Sequence, residues 1–103
     1  MNNKPKWEKW EEELAKDFGE MQVGSGRVWN KKGDVKSRKF LIEAKQTDKK
    51  SFSITDALWD KIYGESLDSF RMPMMGIKIG DTKLVVLDKD EFKKILENLS
   101  DTS

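Results

Sequence analysis

Asp34, Glu43 and Lys45 are the residues whose types and spacing suit chemistry. Glu43 and Lys45 sit two apart in Phe40-Leu41-Ile42-Glu43-Ala44-Lys45. On a strand they project from one face, roughly 7 Å apart along it. A hairpin turning at Ser37-Arg38-Lys39, with residues 37 and 40 flanking a two-residue loop, sets Asp34 directly opposite Glu43. Facing carboxylates around 5 Å apart repel unless a positive charge lies between them. Oxygen ligands of this kind suit Mg²⁺ or Mn²⁺, and an ion held there would activate a water for hydrolysis. Lys45 beside it would hold or polarise that water, or neutralise a phosphate. A further carboxylate comes from residues 7–18. There Glu11 lies roughly 55° from the centre of the apolar stripe, nearer than Glu8, Glu12 or Glu13, with Asp17 almost as close on the other edge.

Composition narrows the chemistry further. The 103 residues include no Cys and no His, which excludes zinc fingers, disulfide frameworks and Ser-His or Cys-His nucleophilic sites. The length favours one domain over residues 1–103, with polar tails at about 1–5 and 100–103. No apolar run approaches membrane-spanning length, the N-terminus lacks a signal-like stretch, and the absence of Cys fits a cytoplasmic protein. Charged residues make up 38% of the chain, yet four Trp and five Phe argue for a folded core. The net charge of +1 is unevenly spread: residues 27–50 carry nine basic and three acidic groups, or +6, while the flanking stretches are net acidic. One basic surface, including Arg27, Lys31, Lys32, Lys36, Arg38 and Lys39, is therefore expected to meet an anionic partner.

The elements that must position these groups follow from periodicity. Trp7, Trp10, Leu14 and Phe18 share one stripe of a helix over 7–18, with Gly19 as its stop. Residues 22–33 read as a polar loop containing Gly24-Ser25-Gly26-Arg27. Residues 34–47 read as the hairpin. A helix over about 55–70, capped by Ser53 or Thr55, turns Leu58, Trp59, Ile62, Tyr63 and Leu67 inward. Strands are expected at Met74–Ile79 and Lys83–Leu87, joined at Gly80-Asp81. Asp88 opens a last helix with Phe92, Ile95, Leu96 and Leu99 facing the core. The order αββαββα predicts an α/β fold with a central mixed sheet flanked by helices.

Gly33-Asp34 followed by Glu43-Ala44-Lys45, after a helix that carries a Glu, resembles the PD-(D/E)XK nuclease superfamily. More narrowly, Glu11-Glu12-Glu13-Leu14, Gly24-Ser25-Gly26 and Ile42-Glu43-Ala44-Lys45 resemble archaeal-type Holliday junction resolvases and similar small phage endonucleases. The resemblance covers about residues 7–88 and implies a restriction-endonuclease-like core. It implies a Mg²⁺-dependent endodeoxyribonuclease, with Mn²⁺ able to substitute, acting on branched DNA such as a four-way junction in a bacterial or phage-infected cell. Asp34, Glu43 and the Ala44 backbone carbonyl would hold the metal, Lys45 would position or activate the water, Glu11 would be the helix glutamate, and Ser25 would lie near the scissile phosphate. Gly33 replaces the Pro that often precedes the Asp, and the short spacing from Asp34 to Glu43 demands a tight hairpin. Symmetric cleavage needs two sites, so a homodimer is expected, with Trp59, Tyr63 and Phe70 as candidate interface residues. The competing expectations are a non-catalytic nucleic-acid-binding module on the same fold and a small phage-type protein inhibitor.

Overall fold

The structure is a computed structural model and describes residues 4–19 and 34–101. Within them the order is α1 (Lys6–Phe18), β1 (Asp34–Lys36), β2 (Phe40–Thr47), α2 (Asp56–Asp68), β3 (Met72–Ile79), β4 (Thr82–Leu87) and α3 (Lys89–Asp101). The αββαββα order is the expected one, and the fold is α/β with a mixed sheet of order β1-β2-β3-β4. β1 and β2 run antiparallel, β2 and β3 parallel, β3 and β4 antiparallel. A parallel pair needs a crossover, and α2 supplies it.

Local chemistry explains the boundaries. Ser37 closes the β1–β2 hairpin without an Asn-Gly turn: the Phe40 amide donates to Ser37 Oγ at 2.9 Å, and the Ser37 amide donates to the Phe40 carbonyl at 2.9 Å. Thr55 Oγ1 accepts from the Leu58 amide at 3.1 Å and starts α2. Asp88 Oδ2 accepts from the Asp90 and Glu91 amides at 3.0 and 3.2 Å and starts α3. Gly80, at φ 57°, allows the tight β3–β4 turn.

The sheet separates two apolar clusters. Trp10, Leu14 and Ala15 of α1 meet Val35, Ile42 and Met74 on one face. Ile62 of α2 meets Met75 and Ile77 on the other, with Leu58 and Trp59 packed alongside. α1 approaches β3 closely at Gly76, whose carbonyl accepts from Trp10 Nε1 at 2.9 Å. Among the described residues no helix is long and apolar enough to cross a membrane.

The two later helices depart from expectation. α2 buries Ile62 but leaves Tyr63 and Leu67 exposed, because only one narrow side of the helix reaches the sheet. α3 was expected to pack its apolar side inward, yet Phe92, Leu96 and Leu99 are exposed and no α3 residue joins either cluster. α3 follows the edge strand β4 and packs on neither face of the described sheet.

Candidate active site

The hairpin brings the central residues together in the expected register. Asp34 pairs with Glu43, Val35 with Ile42, and Lys36 with Leu41. Position 34 therefore faces position 43 directly across the ladder, the arrangement that places cross-strand neighbours about 5 Å apart. On β2 the Lys45 ammonium lies 3.5 Å from Glu43 Oε2. The Glu43 side chain is 16% exposed and that of Lys45 36%, so the pair sits half-sheltered at the sheet surface.

Strand alternation decides which face this is. Ile42 and Ala44 pack with α1. Glu43 is in register with Met75 and Lys45 with Ile77, and those two residues pack with α2. Glu43 and Lys45 thus belong to the α2 face, as do position 34, which pairs with Glu43, and position 36, which pairs with Leu41. The parallel register continues this surface onto β3, whose Met75 is fully buried.

Glu11 is the glutamate that α1 turns inward. It is 3% exposed, whereas Glu12 pairs with Lys4, and Glu13 lies 2.9 Å from Lys83. The ranking from the helix wheel holds. α1, however, covers the face that carries Val35, Ile42 and Ala44, so the sheet lies between it and the face of Glu43 and Lys45.

The remaining candidates are spread along the hairpin. Ala44 is in register with Gly76, next to the point where α1 is pinned. Lys36 ends β1, half-buried, while Arg38 and Lys39 are exposed at the hairpin tip. Ser25, Arg27, Lys31 and Lys32 lie outside the described residues. Among the described side chains, which do not include that of Asp34, no three His, Cys, Asp or Glu are grouped to hold a metal.

One residue near the site carried no signal in the sequence. Arg71 Nε donates to the Ser37 carbonyl at 2.8 Å, and its Nη1 donates to the Ser69 carbonyl at 3.2 Å. With the Met72 amide donating to the Lys39 carbonyl at 2.8 Å, this braces the hairpin tip against the end of α2. Such a contact joins residues far apart in the chain, and no local pattern announces it.

Fold and site together define a small α/β protein whose mixed sheet carries a carboxylate–lysine pair on an edge hairpin. Compared with known proteins, the chain matches no family model, no curated protein and no solved structure.

Proposed function

We propose that this chain is a metal-dependent endonuclease that hydrolyses phosphodiester bonds in branched DNA, on a restriction-endonuclease-like core. One observation carries the reading: Asp34 is the cross-strand partner of Glu43, and the Lys45 ammonium is 3.5 Å from the Glu43 carboxylate. Two carboxylates at directly paired positions repel each other, and the Lys45 ammonium lies beside one of them. A divalent cation held between the two would offset that repulsion. The donor set fits Mg²⁺ or Mn²⁺, which take oxygen ligands and keep several waters. Asp34, Glu43 and the Ala44 carbonyl would hold it.

When bound, such an ion polarises the phosphoryl oxygens and lowers the pKa of a coordinated water. The protein does the rest. Lys45 keeps a fixed positive charge beside the attacking water and the developing charge on phosphate. Lys36, on the same face of the hairpin, meets a neighbouring phosphate. Phosphate contacts carry no base information, which suits a protein that reads DNA by shape. Glu11, on the α1 side of the sheet, is given no step.

The test is cleavage of a labelled four-way junction by the purified full chain with Mg²⁺ or Mn²⁺. Asp34→Asn and Lys45→Ala are each expected to lower the rate about 100-fold or more, in line with loss of one electrostatic stabiliser. Both variants should keep the wild-type circular dichroism. Full activity in both, or a wild-type chain that binds the junction and never cuts it, overturns the reading.

A further inference from the structure

Trp59, Tyr63 and Leu67 are four residues apart in succession and form one stripe of α2. The stripe does not enter the core: Tyr63 is 49% and Leu67 55% exposed. Together with Phe70 it lines a groove of about 730 Å³ whose other side is the first turn of α3. Phe70 is held at this groove at a cost. It takes φ 57°, the left-handed region that favours Gly or Asn. Its amide donates to the Leu67 carbonyl at 3.0 Å, and the Arg71 amide donates to the Ser66 carbonyl at 2.8 Å, which closes the helix around that conformation. Phe70 is 96% exposed, so packing within the described chain does not offset the strain.

Charge decides what such a groove takes. Asp60, Asp88, Asp90 and Glu91 line it against Arg71 and Lys94, which leaves it net negative. Both cations are already engaged: Arg71 donates to the Ser37 and Ser69 carbonyls, and Lys94 Nζ lies 3.6 Å from Glu91. Asp88 is engaged too, as the cap of α3. Asp60 is not. It is exposed, has no hydrogen bond or ion pair among the described residues, and lies on α2 between Trp59 and Tyr63. Aromatic faces carry negative potential and attract cations, and a carboxylate beside them adds to the attraction. Phosphate is repelled by the same groups. Of the protein cations, a guanidinium suits this surface best, because it is planar, stacks on aromatic rings and donates two parallel hydrogen bonds to one carboxylate. The volume falls within the roughly 300–1,000 Å³ of sites that enclose a drug-sized ligand, so it admits a short segment and not one side chain alone.

We propose that the groove between α2 and α3 binds an arginine-bearing segment of a partner protein, its guanidinium laid on the rings of Trp59, Tyr63 and Phe70 and answered by Asp60. The site is separate from that of the nuclease reading. It adjoins Met72 and Pro73 at the start of β3, whereas Lys45 is in register with Ile77 further along, and binding there needs neither DNA nor metal.

Fluorescence anisotropy with a dye-labelled peptide of alternating Arg and Leu, added to the full chain, tests it. The control peptide carries citrulline for Arg, which keeps the shape and removes the charge. The Arg peptide is expected to bind, more weakly as salt rises, and the citrulline peptide at least about 10-fold more weakly still. Phe70→Gly should weaken Arg-peptide binding at least about 5-fold, in line with loss of an exposed cation–aromatic contact. That change also relieves the strained backbone, so the variant should melt no lower than the wild type, and lost folding cannot mimic lost binding. Asp60→Asn should weaken binding as well, while Asp81→Asn, at an exposed acid outside the groove, should leave it unchanged. A wild type that ignores the Arg peptide at low salt overturns the proposal. So do equal affinities for the two peptides, which would make the groove a purely apolar one, and equal losses from Asp60→Asn and Asp81→Asn, which would reduce the binding to overall charge. Single-stranded DNA that displaces the peptide also overturns it, and assigns the rings to nucleic acid.

Discussion

Gly76 is the point where the two halves of the fold can be tested against each other. A Cβ built on it lies 2.6 and 2.8 Å from the two terminal methyl carbons of Leu14. Carbon atoms in contact sit about 3.5–4.0 Å apart, so Gly76→Ala demands a relief of roughly 1 Å. Leu14 is itself buried, and Trp10 Nε1 holds the neighbouring turn of α1 to the Gly76 carbonyl at 2.9 Å, so the helix has little room to lift. Overpacking of this kind costs about 1–3 kcal/mol. For a domain of this size each kcal/mol lowers the melting temperature by about 4–8 °C, so a fall of roughly 5–20 °C is expected. The sharper measurement is a double-mutant cycle by urea unfolding. Leu14→Ala alone empties space in the α1 cluster and should cost about 2–5 kcal/mol. Combined with Gly76→Ala, the new methyl fills part of that space, so the pair should be less destabilising than the two changes added together, by about 0.5–3 kcal/mol. Additive losses, or a Gly76→Ala chain as stable as the wild type, would refute the close approach of α1 to β3.

Two smaller perturbations follow from the same structure. Thr55→Ala removes the acceptor for the Leu58 amide and should cost about 1 kcal/mol in urea unfolding, while Thr55→Ser should retain most of it; equal losses from both would show that the hydroxyl does not cap α2. Asp48 accepts from Lys6 Nζ at 2.9 Å, and this hydrogen bond, opposed in part by desolvation, holds its carboxyl below the usual 3.8. A depressed carboxyl adds stability above its unfolded value and loses it as the pH falls through the folded one. Asp48→Asn should therefore lower the melting temperature slightly at pH 7, with the gap closing as the pH is taken well below 3.8; the pair is exposed, so high salt should shrink the gap too. A gap that persists in acid would point away from the ion pair.

The hairpin was readable because two independent local signals agree. The alternation of Phe40 to Lys45 sets the faces, and a two-residue loop starting after Ser37 sets the pairing, so Asp34 opposite Glu43 follows from counting. The helix boundaries were readable for similar reasons, through Thr55 and Asp88 as caps. What amphipathicity does not contain is a receiving surface. Phe92, Leu96 and Leu99 mark an apolar side of α3 as clearly as Trp10 and Leu14 mark that of α1, but only α1 lies on a sheet. The left-handed backbone at Phe70 was not legible for a different reason: that position after a helix is signalled by Gly or Asn, and a Phe there gives no notice.

The placement of Glu11 turns on the same distinction. A helix wheel ranks residues by their angle from the apolar stripe, and it ranks Glu11 correctly as the buried glutamate. It carries no information about which side of the sheet the helix will cover. That choice is made by strand parity: α1 takes the face of Val35 and Ile42, α2 takes the face of Met75 and Ile77, and Glu43 and Lys45 share parity with the second. One residue of register shift in β2 would exchange the two sets. The Asp34–Glu43 pairing makes that shift unavailable without rebuilding the Ser37 turn, so the strength of the short hairpin decides whether the carboxylates and the lysine share a surface.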